Sequence, residues 1–139
     1  MATAYVAAGT IRRARFVKLN PSANNQVLEA DANEIVFGIS QVGGRDAPIP
    51  ENTTDPPNAA VIGDHLNVHQ LGVECLLEAG SGGWAADARL KSDADGKGVA
   101  IATTGTTIQH VGARALEAAS AGELGRVVVM ITSERPALT

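Results

Sequence analysis

The chain has 139 residues, enough for one domain with a real core and too few for two comfortable ones. Its formal net charge of −4 gives no attraction for a phosphate backbone or an anionic membrane surface, so neither nucleic acid nor a membrane is expected as a partner. The single cysteine, Cys75, excludes an intramolecular disulfide framework, and with aromatics at only 3% the core must be built from small aliphatic residues, a composition that often gains stability by oligomerising.

The opening MATAYVAAGT, Met1 to Thr10, is small, uncharged and unpatterned, and is expected to be an extended N-terminal arm. It lacks the long apolar run of a signal peptide, and no stretch approaches the roughly 18 apolar residues of a membrane span, so synthesis in a cytoplasm is expected. In RRARFVKL, Arg12 to Leu19, Ala14 and Phe16 alternate with Arg13, Arg15 and Val17, the pattern of a half-exposed strand. Arg12, Arg13 and Arg15 form the basic cluster of the chain, either a solvated strand edge or a contact to an acidic partner surface. NPSANN, Asn20 to Asn25, is dense in turn formers and precedes QVLEA, so a hairpin is expected. Glu34 to Ile39 reads as a buried strand, in which Gly38 marks a bulge or a close backbone approach.

From Gly43 to Asn58 the chain holds four of its six prolines and almost no hydrophobic pattern. A loop this long inside a compact domain is usually functional or disordered, and contact with another chain is expected of it. Asn52-Thr53-Thr54 matches a glycosylation acceptor, a match without weight when no secretory signal accompanies it.

Beyond the loop, glycines or Asp-Gly pairs recur about every eight to twelve residues between short runs of period-two character, the spacing of an all-β barrel or sandwich. In GVECLLEA, Val73, Cys75 and Leu77 alternate with Glu74, Leu76 and Glu78, which makes Cys75 a buried, inert thiol. Asp95-Gly96 stands where a tight turn needs a positive φ. The preceding Asp93-Ala94 gives it a superficial likeness to a calcium loop, but position one of that loop would be Lys91 and position twelve Ala102, so the pattern fails. In VGARALEAASAGELGRVVVMI, Val111 to Ile131, the first half is rich in helix formers and the second is plainly a strand. A helix would have to run through Gly122 and stop within three residues of that strand, whereas a closing hairpin with its turn at SAGELG fits the alternation. SERPALT at the end has no pattern, and a tail over 134–139 is expected.

No constellation of these residues makes a defensible active site. His65 and His69 are four apart, but on a strand that spacing puts them about 13 Å from one another, too far to share a metal. Ser81 lies between glycines with no identifiable base, and neither a P-loop nor a dinucleotide fingerprint is present. The expectation is therefore no enzyme, no cofactor and no metal site.

The segments Leu90 to Val99, Val111 to Ala118 and Gly122 to Ile131 together resemble the C-terminal half of tailed-bacteriophage capsid cement, or head-decoration, proteins. FVKL, the polar turn and EIVFGIS agree more loosely with the opening strands of that family. The resemblance implies a β-rich module on the outer surface of a virion capsid, commonly a homotrimer, that cements neighbouring major capsid protein subunits against internal genome pressure.

The expected fold is thus mainly β: a small single-domain β-barrel or β-sandwich-like module over 11–133, with an arm over 1–10 and a long Pro-rich loop over 43–58. Candidate capsid or trimer contacts are Tyr5, Val6, Arg12, Arg13, Arg15, Arg45, Pro48, Ile49, Pro50, Pro56 and Pro57. The alternative is a small β-barrel enzyme or ligand-binding module with a pocket near His65, His69 and His110.

Overall fold

Among the described residues, short aliphatic and β-branched runs cut by Gly, Asn and Asp turns give twelve strands and no helix. They are seen in a computed structural model that describes residues 2–42, 58–102, 105 and 107–134. The strands are β1 (Ala2–Ala7), β2 (Ile11–Arg12), β3 (Phe16–Leu19), β4 (Gln26–Glu29), β5 (Gly38–Ser40) and β6 (Asn58–Ala60), followed by β7 (His65–His69), β8 (Glu74–Glu78), β9 (Arg89–Ser92), β10 (Gly98–Ala100), β11 (Gln109–Ala115) and β12 (Leu124–Glu134).

Five strands close a barrel in the order β1-β4-β3-β5-β7, and five more form a sheet in the order β10-β9-β11-β12-β8, while β2 and β6 pair separately. Closure of the barrel rests on β1. It runs antiparallel to β7 from Ala2↔His69 to Val6↔His65, and parallel to β4 at Val6↔Gln26 and Ala7↔Val27. The expected N-terminal arm is corrected here: Ala2–Ala7 is a barrel strand. Its residues are small and uncharged, and the ladders to β7 and β4 hold them in place. Glu134, the first residue of the expected tail, is paired with Gln109; residues 135–139 lie outside the described residues, as do 43–57 of the Pro-rich loop.

Two cores result. Ala7, Ile11, Val17, Val27, Leu66 and Val68 are among the residues that fill the barrel. Phe16, Ala30, Val36 and Ile39, on the barrel's outer face, pack against Leu77, Trp84, Leu90, Ala113, Val127 and Val129 of the sheet side. Strand β3 is covered on both faces at its head, Phe16 toward the sheet and Val17 toward the barrel interior, while Lys18 is half-buried and Leu19 exposed, so its exposure runs along the strand and not across its faces as the alternation suggested. The alternation breaks because the chain turns at Arg13-Ala14, where Ala14 takes a φ of 51° and separates β2 from β3.

The hairpin of β3 and β4 around 20–25 and the closing hairpin of β11 and β12 both form as expected, the second with Ala115 opposite Val127. Strand β11 ends at Ala115; the following residues leave the ladder, and Ala119 bridges to Trp84 instead. Gly112 sits at a break in the β11–β12 register, and a Cβ there would meet Val36 Cγ2 at 2.4 Å and Phe16 Cε1 at 2.6 Å, so the barrel presses against the sheet where a side chain is missing.

Gly38 is the close backbone approach its sequence context suggested: a Cβ at this position would fall 2.3 Å from the carbonyl oxygen of His69. Gly38→Ala is expected to lower stability by about 1–3 kcal/mol in urea or thermal unfolding, since the obstacle is backbone and cannot rotate away. Gly9→Ala, whose Cβ would meet Leu28 Cδ2 at an ordinary 3.5 Å, should leave the transition almost unchanged.

Candidate functional site

The basic cluster is used inside the chain. The Arg12 guanidinium grips Glu29 with two hydrogen bonds, Nε to Oε2 at 3.0 Å and Nη2 to Oε1 at 2.8 Å, and the Glu29 hydrogen bond raises its pKa above the ordinary value. Arg15 is 0% exposed. Its Nη2 lies 3.4 Å from Glu78 Oε1, its Nη1 donates to the Asp95 carbonyl at 2.8 Å, and burial lowers its pKa. Lys97 reaches the other Glu78 oxygen at 3.4 Å. Arg13 is half-buried and its Nε has no partner among the described residues. Both arginines make ion pairs within the chain: the turn at Ala14 swings Arg15 inward, toward a glutamate 63 residues away, while Arg12 keeps part of its side chain at the surface.

The histidines do not converge. His65 and His69 stand at opposite ends of β7 in the barrel wall, whereas His110 lies in β11 of the sheet with its Nδ1 2.9 Å from Ser133 Oγ. Among the described residues no three His, Cys, Asp or Glu side chains are grouped to hold a metal ion. Cys75 is half-buried in β8, and burial pushes its thiol up to about 12, so it is no thiolate at neutral pH. The Asp95-Gly96 turn is structural too: Asp93 Oδ1 accepts from the backbone N–H of Asp95 at 2.8 Å and of Lys97 at 2.9 Å.

What the fold leaves for other molecules is surface. Leu19 at the end of β3, Ile35 before β5 and Ile131 in β12 are exposed by 49%, 66% and 38%, and they border one open groove of about 500 Å³ together with Pro21, Val36 and Phe37. The Lys18–Glu34 ion pair, at 2.9 Å, edges it. Tyr5, one of the expected contacts, is half-buried beside this surface with its ring edge-to-face against Phe37, the centroids 5.2 Å apart. Val6 is half-buried in β1, and its N–H donates to the Asn25 carbonyl. The expected contacts Arg45, Pro48, Ile49, Pro50, Pro56 and Pro57 lie outside the described residues. Sequence reasoning missed Leu19, Ile35 and Ile131, because the run EIVF reads as wholly buried when only its Val36 is.

No protein-family model and no curated protein matches the chain. A solved structure does. It is the head fiber gp8.5 N base in bacteriophage phi29, 19% identical, with a TM-score of 0.58 over 94% of this chain and 93% of that one. At that identity the likeness is one of fold, and it spans barrel and sheet together.

Two measurements follow from the buried groups. Glu78→Ala leaves Arg15 charged and unpaired in the interior, and denaturant unfolding should register a loss of about 3–5 kcal/mol; Arg126→Ala, which removes an exposed pair to Glu74, should cost under about 1 kcal/mol. Burial lowers the His69 pKa, so the folded state resists a proton that the unfolded chain accepts. Stability is then full above the ordinary histidine value and falls as pH drops below about 6.5. His69→Gln should flatten that part of a stability-against-pH curve.

Proposed function

We propose that this chain is a non-enzymatic structural protein of a phage head, held on the outer surface of the capsid, where it bridges neighbouring major capsid protein subunits and steadies the shell against its packaged genome. The observation that carries this reading is the fold likeness to a phage head fiber base over nearly the full length of both chains. The resemblance of Leu90 to Val99, Val111 to Ala118 and Gly122 to Ile131 to capsid cement proteins points the same way from the sequence side. Arg12, Arg15, Glu29, Glu78 and Asp93 serve ion pairs and turns, as suits a structural module.

A homotrimer fits the same reading. Several copies of one contact, each modest, give a clamp whose avidity exceeds any single attachment. Exposed Leu19, Ile35 and Ile131 offer the apolar area that such a contact needs, and the loop residues Arg45, Pro48, Ile49, Pro50, Pro56 and Pro57, with Arg13, remain proposed contacts. Attachment by a free N-terminal strand is not part of the proposal, because Ala2–Ala7 closes the barrel.

The purified chain, mixed with expanded empty heads and with unexpanded precursor shells, should co-sediment with the former and raise the temperature at which they come apart. Ile35→Glu should weaken co-sedimentation at least tenfold while its own melting temperature stays within a few degrees, because the residue is exposed. Absence of binding to either shell, with monomer alone in light scattering, would sink the reading.

A further inference from the structure

A second open cleft, of about 600 Å³, borders the apolar groove and shares Leu19, Pro21 and Phe37 with it. Its remaining walls are more polar: Tyr5 from β1, and Asn20, Ala23, Asn24 and Asn25 from the turn between β3 and β4. No charged side chain lines it. Tyr5 and Phe37 are packed against the barrel core and only half-buried, so each ring is anchored on one side and leaves the rest to the cleft.

The geometry points to a binding site for a neutral saccharide. A sugar ring offers two chemistries at once, C–H-rich faces that pack on an aromatic surface and a rim of hydroxyls that both donate and accept. Aromatic rings and carboxamides supply the matching pair, because an amide side chain has two donor hydrogens and an acceptor oxygen. Absence of charge in the lining argues against a phosphate or a carboxylate ligand, which would need a counter-charge when removed from water. Asn24 and Asn25 are exposed and their side chains make no hydrogen bond within the described chain. Asn20 is fixed, its Nδ2 donating to Gln26 Oε1 at 3.0 Å and its Oδ1 accepting from Ser22 N–H at 3.1 Å, which leaves one amide hydrogen to spare.

The cleft is also preformed. Val6 N–H donates to the Asn25 carbonyl at 2.9 Å, so the parallel pairing of β1 with β4 sets the turn directly beside Tyr5. Asn25 holds a φ of 59°, a left-handed conformation that asparagine tolerates and that sets the direction in which its side chain leaves the backbone. A rigid ring pair facing a pinned turn loses little entropy on binding a small ligand.

The inference is independent of the head-protein reading, since it is tested on the isolated chain without any capsid. Amide chemical shifts of the labelled protein are followed while chitobiose, maltose and cellobiose are added in turn. Saturable shifts are expected at Tyr5, Val6, Asn24, Asn25 and Phe37 with at least one of them, at a dissociation constant on the order of a millimolar. The variant Asn24→Ala/Asn25→Gly keeps the left-handed backbone and alters only exposed positions, so it should stay folded and weaken binding about tenfold. Tyr5→Phe should retain most of the affinity, and Tyr5→Leu, with folding checked by its melting curve, should lose it. No saturable shift with any of the three sugars overturns the inference, as does binding that survives the asparagine variant or maps away from these residues.

Discussion

A guanidinium with no access to water ties the two halves of this protein to each other. Arg15 leaves the barrel at the head of β3, meets the Glu78 carboxylate at the end of β8, and reaches the Asp95 carbonyl in the turn between β9 and β10. Around it the backbone repeats the connection, Phe16 N–H donating to the Gly96 carbonyl at 2.7 Å and Glu78 N–H to that of Ala14 at 2.9 Å. Neither the barrel nor the sheet could bury such a charge alone. An ion pair of this kind adds little net stability over an apolar packing of the same shape, but any shift of one half relative to the other strands a charge. The shared core of Phe16, Val36, Leu77, Leu90 and Val127 then supplies the area while Arg15 fixes the docking position.

The parts of the fold that could be read from the sequence are those whose cause is local. NPSANN turns because its own side chains and backbone favour turning, Asp95-Gly96 because glycine accepts the φ of 79° found at Gly96, and RVVVMI is a strand because branched side chains suit a ladder. The helix formers of ARALEAAS are overridden by pairing, with Ala113 and Ala115 wholly buried against the barrel side. What stayed hidden depends on partners far along the chain. Ala2–Ala7 has no pattern of its own and becomes a strand only through β4 and β7. Arg15 reads as a surface charge until Glu78, 63 residues later, is placed beside it. Ala14 in a left-handed conformation breaks a period-two run with no residue that announces it.

The candidate site was the least legible part, for a related reason. Tyr5 belongs to a segment that reads as an arm, and its neighbours in the cleft come from a turn and from the stretch before β5, brought together by barrel closure. The chain has four aromatic residues, Tyr5, Phe16, Phe37 and Trp84. Two of them anchor the core between barrel and sheet, and the other two meet at the surface cleft. In so aromatic-poor a protein, that placement sets the cleft apart from ordinary exposed surface.

The closing of the barrel by its first strand also bears on how the chain is made. Strand β1 leaves the ribosome before any of its neighbours, yet its longest ladder is with β7, from Ala2↔His69 to Val6↔His65. At ordinary rates of synthesis it must wait on the order of several seconds for that partner. Until then the β3–β4 hairpin can form but the barrel stays open, with two unpaired edges and its aliphatic lining facing solvent. The barrel therefore cannot close until β7 has been made.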